Sequence, residues 1–357
     1  MARTFLIAAG GTGGHLYPGI AVADELKRRD ASLRVVFAGT RRGLETRLVP
    51  RAGYELALLP VLPLNGVGLL RMLQGLALLP WSLLRAAALV LRLRPAAVLG
   101  VGGYASGPVA LAAAWLGVPT VILEPNARPG FTNRALGPFV TRAACAYEDA
   151  RRSFGDKAVI TGNPVRGGFA AVTAKPHRPP FCLLAFGGSQ GSRVLNRALL
   201  AALPHLPGAE RLRIVHQTGE AMREEVAAGY AAAAREAEVV AFLDDMPARF
   251  AAADLVLSRS GATSCAELTV AGKAALLVPF AAAADDHQRS NARALEAAGA
   301  ARVIQEAQLT GESLAAELSE LIESPQRIAA LEQAARGLAK PDAARRVAVL
   351  LEDKTCV

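Results

Sequence analysis

Short apolar runs alternate with longer amphipathic stretches along this chain, and that alternation leaves few folds open. A first series comprises Phe5–Ala9, Leu33–Ala38, Ala97–Val101, Thr120–Leu123, Ala144–Tyr147 and Ala158–Thr161. The pattern pauses at Gly162-Asn163-Pro164-Val165-Arg166, and a proline-rich basic stretch follows from Lys175 to Pro180. A second series then runs through Phe181–Phe186, Leu212–Gln217, Val239–Phe242, Leu255–Ser258, Ala275–Val278 and Ala301–Ile304. Strands covered on both faces read as continuous apolar runs, and strands spaced by helical stretches pair in parallel. The expectation is two α/β domains, residues 1–165 and 166–340, which suits a length of 357 residues. Pro341 would redirect the chain so that a helix within 341–357 packs back on the first domain. Ligands of open α/β sheets lie at the carboxyl ends of the strands, so two such domains facing each other would gather those ends at one cleft.

Three of the runs end in glycine-rich loops. These are Gly10-Gly11-Thr12-Gly13-Gly14-His15, Gly102-Gly103-Tyr104-Ala105-Ser106-Gly107 and Gly187-Gly188-Ser189-Gln190-Gly191-Ser192. Glycine brings backbone amides close to a ligand, and a helix start just beyond adds donors and partial positive charge. A single such loop is equally a tight turn; three, with Ser, Thr or His inside them, point to phosphate handling. The first loop has Leu16 at the third position of a dinucleotide fingerprint, and no Gly-x-x-x-x-Gly-Lys-Ser/Thr occurs. Strand Asp254–Leu257 leads into a fourth small-residue turn, Ser258 to Glu267, where a carboxylate within the helix start suits a ribose diol.

Cys145, Cys182, Cys265 and Cys356 are scattered and suggest neither zinc site nor disulfide framework. Asp244-Asp245 and Asp285-Asp286-His287 read as caps or solvated loops rather than metal ligands. The opening residues run directly into a strand, so no signal peptide is expected. Charge is uneven: residues 1–165 carry 19 Lys+Arg against 9 Asp+Glu, and the remainder is close to balanced. No basic cluster interleaved with aromatics occurs, which argues against nucleic acid. Residues 56–123 contain no Asp or Glu. Within them lies an apolar stretch from Leu69 to Leu93, too interrupted by arginine and Pro80 for a membrane span. One reading is two buried helices. The other is an interfacial patch in which Leu69, Leu73, Leu79 and Trp81 enter lipid while Arg71, Arg85 and Arg92 meet anionic headgroups.

Taken in order, these motifs resemble the MurG-type UDP-N-acetylglucosamine transferases of bacterial peptidoglycan synthesis. The pieces carrying the resemblance are Gly10–His15, Gly102–Gly107, Glu124 and Asn126 before Thr132-Asn133, Gly162–Arg166, Gly187–Gly191, Phe242–Met246, Arg259–Glu267, and Asp285–Gln288 before Asn291-Ala292. The resemblance implies a GT-B fold of two Rossmann-like domains. It implies inverting transfer of GlcNAc from UDP-GlcNAc to the MurNAc 4-OH of undecaprenyl-diphospho-MurNAc-pentapeptide (lipid I), giving lipid II and UDP. It places Thr12, Gly13 and Gly14 at the sugar nucleotide, Asn126 on the donor sugar, and Arg166 and Ser189 on the UDP phosphates. The Leu243 backbone would read uracil, Ala262, Thr263, Ser264 and Glu267 would hold phosphate and ribose, and Gln288 the GlcNAc hydroxyls. The glycine loops, with Gly103, Tyr104, Ser106, Gly188 and Gln190, would serve acceptor and diphosphate. The chain departs from the family in having Pro125 where glutamine is usual and Ser264 where threonine is.

No metal is expected, because amides, a helix N-terminus, Ser189 and Arg166 can stabilise a leaving diphosphate. A divalent cation would be a non-essential addition. His15 is the expected base for the acceptor hydroxyl. Expected partners are UDP-GlcNAc, lipid I, anionic inner-membrane lipids and other cell-wall synthesis proteins, at the cytoplasmic face of the membrane. Two alternatives remain at this stage, a UDP-N-acetylglucosamine 2-epimerase-like isomerase on a similar scaffold and a non-catalytic UDP-sugar-binding protein. The isomerase would have no use for an apolar, basic patch, and the binding protein would leave His15 dispensable.

Overall fold

A computed structural model describes residues 3–41, 43–62, 69–208 and 210–353; the side chains of residues 69–73, 76 and 284 lie outside the described set. The chain divides after Arg166 and again after Ala339 into two compact units, with the C-terminal segment rejoining the first.

The first unit holds seven strands: β1 (Thr4–Ala9), β2 (Arg34–Gly39), β3 (Glu55–Leu58), β4 (Ala97–Gly102), β5 (Thr120–Glu124), β6 (Arg142–Cys145) and β7 (Ala158–Ile160). Its helices are α1 (Gly13–Arg29), α2 (Glu45–Arg51), α3 (Leu69–Leu93), α4 (Ser106–Trp115), α5 (Phe131–Leu136) and α6 (Glu148–Arg151). The second unit holds β8 (Phe181–Phe186), β9 (Leu212–Gln217), β10 (Glu238–Val240), β11 (Leu255–Ser258), β12 (Ala275–Leu277) and β13 (Arg302–Val303). Between and after them come α7 (Arg193–Ala202), α8 (Arg223–Ala232), α9 (Met246–Ala252), α10 (Ala262–Ala271), α11 (His287–Ala297), α12 (Gly311–Glu323) and α13 (Pro325–Gly337). The last helix, α14 (Ala343–Glu352), buries Val347, Ala348 and Leu351 in the core that β1, β4 and α1 share. Glu352 ties it further, pairing with Arg29 at 2.7 Å.

Both sheets are parallel, in the orders β3-β2-β1-β4-β5-β6-β7 and β10-β9-β8-β11-β12-β13. All six residues of β1 are buried, as a strand covered by helices on both faces requires. In each sheet the strand order reverses once, between β1 and β4 in the first and between β8 and β11 in the second. Such a reversal opens a crevice beyond the carboxyl ends of the two strands. The first two glycine loops follow β1 and β4. The third follows β8, and the turn leading to Glu267 follows β11. Topology alone therefore brings each pair of motifs together within its own unit.

Leu69 to Leu93 forms one helix, not two. Pro80 stands on its exposed side, and the next turn is secured by the buried Ser82 hydroxyl, which donates to the carbonyls of Leu78 and Pro60. Ala86, Leu89 and Val90 face the sheet while Trp81, Leu84, Arg85, Leu91 and Arg92 face outward. No helix of the described residues is long and apolar enough to cross a membrane.

Candidate active site

In the first unit the two glycine loops pack against each other. Gly103 has φ +80°, and a Cβ there would stand 2.1 Å from the Gly10 carbonyl oxygen, so only glycine permits the approach. The His15 ring lies against Gly102, where an added Cβ would stand 2.6 Å from its Cδ2 and 2.9 Å from its Nε2. His15 Nδ1 is 3.5 Å from the Thr12 hydroxyl. The imidazole therefore sits at the crevice between β1 and β4, half-buried at the start of α1.

A residue that the sequence reading passed over holds the first loop from behind. Glu45, fully buried at the start of α2, accepts the Gly11 amide at 3.0 Å and the Thr40 amide and hydroxyl at 2.7 Å each. Its carboxylate fills the place an anion would take at Gly11. Ser106, first residue of α4, is fully buried, and its Oγ has no hydrogen-bond partner among the described residues. Tyr104 is exposed. Glu124, at the end of β5, gathers the Asn126 amide and side chain, the Gly130 amide and the Asn133 side chain, fixing the loop that carries Asn126. Burial pushes the Glu124 carboxyl above its ordinary pKa, and these donors offset part of that rise. Arg166, expected at the head of the second domain, is the last residue of the first unit, with its guanidinium 4.0 Å above the centre of the Tyr17 ring.

The second unit builds its site around the third loop. Gly191 closes on Thr218, where a Cβ would stand 1.9 Å from the carbonyl oxygen. Ser192 caps α7 by accepting the Leu195 amide. Gln217, buried at the end of β9, donates to the Gly188 carbonyl at 2.9 Å and accepts the Leu243 amide at 3.0 Å. The Leu243 amide, expected to face uracil, is thus taken by a side-chain amide oxygen. Among the described residues the amides of Ser189 and Gln190 have no protein partner. Beneath this loop runs a buried chain: Asn196 donates to the Thr218 carbonyl, and His216 contacts Asn196 and Tyr230. Burial holds the His216 pKa down, to about 4, so the ring is neutral.

Arg259, the first side chain beyond β11, reaches the Ser192 hydroxyl, the carbonyls of Val278 and Pro279, and Glu306 at 2.6 Å. Burial lowers its pKa, and Glu306 pulls the other way. Arg259 thereby locks the third loop to the segment after β12. Half-exposed Ala262, Thr263 and Ser264 form the first turn of α10, while Glu267 is 3% exposed on its inner side. Gln288, in the first turn of α11, accepts the Phe280 amide through Oε1; its Nε2 has no protein partner among the described residues. No group of three His, Cys, Asp or Glu suited to a metal ion occurs among the described residues.

The N-terminal domain model of glycosyltransferase family 28 matches residues 5–145 and the C-terminal domain model residues 182–347. The chain belongs to glycosyltransferase family 28. An Anaeromyxobacter sp. (strain Fw109-5) relative is 49% identical over 96% of this chain and 91% of its own length. It is named as UDP-N-acetylglucosamine–N-acetylmuramyl-(pentapeptide) pyrophosphoryl-undecaprenol N-acetylglucosamine transferase. The crystal structure of Acinetobacter baumannii MurG is 31% identical, covers 99% of both chains and superposes with a TM-score of 0.79. The two parallel-sheet units are the Rossmann-like domains of a MurG-type, GT-B glycosyltransferase. A Listeria monocytogenes protein described as a putative UDP-N-acetylglucosamine 2-epimerase shares the fold at 14% identity and a TM-score of 0.71. That likeness concerns the fold alone.

On α3 and α4 the outer faces carry large apolar side chains: Trp81 is 52%, Leu84 63%, Leu91 60% and Trp115 64% exposed. The Arg85 guanidinium lies 5.8 Å from the Trp81 ring centre. Leu79 is half-buried; Leu69, Arg71 and Leu73, assigned to the same patch from sequence, have side chains outside the described set.

Proposed function

We propose that this protein transfers GlcNAc from UDP-GlcNAc to the MurNAc 4-OH of lipid I, giving lipid II and UDP with inversion at the sugar. The observation that carries this reading is 49% identity over 96% of the chain to a transferase named for that reaction, on a chain whose switch points hold the three glycine loops and the turn to Glu267. It is a UDP-GlcNAc-dependent hexosyltransferase.

The donor binds to the second unit. The unpaired amides of Ser189 and Gln190, with the Ser189 hydroxyl, receive the diphosphate, and charge on the departing UDP grows against those fixed donors. Arg166 adds a full positive charge. Ala262, Thr263 and Ser264 offer helix-start donors, Glu267 accepts from the ribose, Leu243 meets uracil, and Gln288 and Asn126 meet the sugar hydroxyls. The acceptor engages the first unit. Here His15 takes the 4-OH proton as the oxygen attacks the anomeric carbon. Thr12, Gly13, Gly14, Gly103, Tyr104 and Ser106 shape its surroundings, and Gly188 and Gln190 those of the diphosphate. No metal or other cofactor is required, with a divalent cation at most a non-essential addition.

The apolar, basic outer face of α3 and α4 docks on anionic lipid at the cytoplasmic face of the membrane, where a lipid-linked acceptor resides. Each basic group near an anionic surface contributes about 1 kcal/mol. Other cell-wall synthesis proteins are further candidate partners.

UDP release from UDP-GlcNAc, with and without a lipid I analogue, tests the reaction. Release that requires the acceptor is expected. Acceptor-independent isomerisation would favour the epimerase alternative, and binding without turnover a sugar-nucleotide scaffold. Charge reversal of Arg71, Arg85 and Arg92 to Glu together should release the protein from anionic vesicles while a soluble short-chain acceptor is still turned over. Undiminished co-sedimentation would refute membrane docking by this face.

A further inference from the structure

We infer that Tyr17 is a positioning residue for donor binding, the platform on which the Arg166 guanidinium rests. Tyr17 lies one turn into α1, and side chains in a helix lean back toward its N-terminus. Its ring accordingly lies over Gly13, where an added Cβ would stand 3.0 Å from the ring's Cε2. The absent side chain at Gly13 therefore makes room for an aromatic ring rather than only for a ligand. On Tyr17 rests Arg166, with its guanidinium carbon 4.0 Å from the ring centre. That separation is well inside the reach of a cation–π contact.

Stacking uses the flat face of a guanidinium, and all five N–H donors lie in its plane, where a phosphate can receive two of them side by side. Arginine otherwise loses considerable rotamer freedom on binding an anion, so a ring that restrains the guanidinium beforehand lowers that cost. Tyr17 also packs on the core of the first unit. A purely structural ring would be replaceable by any apolar side chain of similar size, whereas a platform needs an aromatic face. The inference rests on the reading that Arg166 serves the UDP diphosphate.

Four full-length variants are titrated with UDP and with uridine: Tyr17→Phe, Tyr17→Leu, Arg166→Ala and the Tyr17→Leu/Arg166→Ala double. Expected is a loss of about five- to tenfold in UDP affinity for Tyr17→Leu, near-parental affinity for Tyr17→Phe, and unchanged uridine affinity for both. In the Arg166→Ala background Tyr17→Leu should cost nothing further. The melting temperature of each variant reports whether it folds; Tyr17→Phe keeps the core filled and anchors the comparison. If Arg166→Ala weakens UDP while Tyr17→Leu binds as the parent does, the platform is wrong and the arginine's role stands. If Arg166→Ala leaves UDP affinity unchanged, the diphosphate reading falls and the platform with it. Equal weakening of UDP and uridine by Tyr17→Leu also overturns the inference.

Discussion

The first and third glycine loops look alike in sequence and differ in what braces them: a buried carboxylate behind the first, a glutamine and a backbone carbonyl beneath the third. Each follows the first strand of its unit, at the point where strand order reverses. In the first loop the Gly11 amide is taken by the buried Glu45, the Thr12 and Gly13 amides have no protein partner among the described residues, and the glycines let two loops and an imidazole pack together. In the third, the Ser189 and Gln190 amides are left without protein partners at the start of α7, while Gln217 and Thr218 brace the loop from below. A glycine-rich turn before a helix is thus a way to bring backbone close to something. On the proposed function, the diphosphate engages the third loop and the proton transfer belongs to the first.

The largest effect that can break this division is at His15. His15→Ala should lower kcat by about 10²–10⁴-fold, the usual contribution of general base catalysis, with UDP-GlcNAc affinity changed less than about tenfold. A near-parental kcat with a raised donor KM would move His15 to the donor side and undo the contrast.

Beneath the third loop, His216 gives the second unit a pH dependence of its own. Its pKa is about 4 in the fold, against roughly 6.5 for an unfolded histidine. Above pH ~6.5 the ring is neutral in both states and contributes no pH dependence. As pH falls from there toward 4, the unfolded chain gains a proton that the native site refuses, so stability drops by about 1.4 kcal/mol per pH unit and about 3 kcal/mol in total. Chemical denaturation of His216→Gln across pH 4–7 should lack that share. An unchanged slope would mean that another group titrates there.

Glu267→Ala should weaken UDP by about 1.5–3 kcal/mol, the range for a hydrogen bond to a charged group. Calorimetry should find UDP-GlcNAc weakened equally, because the lost contact is to ribose. Equal UDP affinity in the folded mutant would remove Glu267 from the site.

Glu45→Gln sharpens the contrast from the other side. Its Oε1 can keep the Thr40 donors, but its Nε2 then meets the Gly11 amide donor to donor, which should cost roughly 1–3 kcal/mol of stability. It should lower kcat through the displaced His15 loop and leave UDP binding near parental. A selective loss of UDP affinity would show that the first loop does hold the donor.

The strands of both sheets were legible because buried parallel strands leave an uninterrupted apolar run. β3 was missed: Glu55–Leu58 is a four-residue edge strand with no fully buried side chain, so neither length nor pattern marks it. β6 was placed late, at Ala144–Tyr147 instead of Arg142–Cys145, because Arg142 opens it with a charge at the sheet's rim. The turn at Pro80 read as a helix break, yet a proline on the exposed side of α3 is tolerated. In the site, residues inside glycine-rich motifs were found by type and spacing. Glu45, Tyr17, Gln217 and Glu306 were not, because each acts on a segment distant in sequence. The only local hint was position: Gln217 closes a strand, and Glu45 opens the short helix after one.

Backbone amides cannot be tested cleanly by substitution, but they can be observed. Titrating isotope-labelled protein with UDP and following amide shifts addresses the division of labour between the loops most directly. Expected are the largest perturbations at Ser189 and Gln190, with Gly11 unmoved because Glu45 already holds it. A Gly11 amide that shifts on saturation while Ser189 and Gln190 stay in place would contradict it.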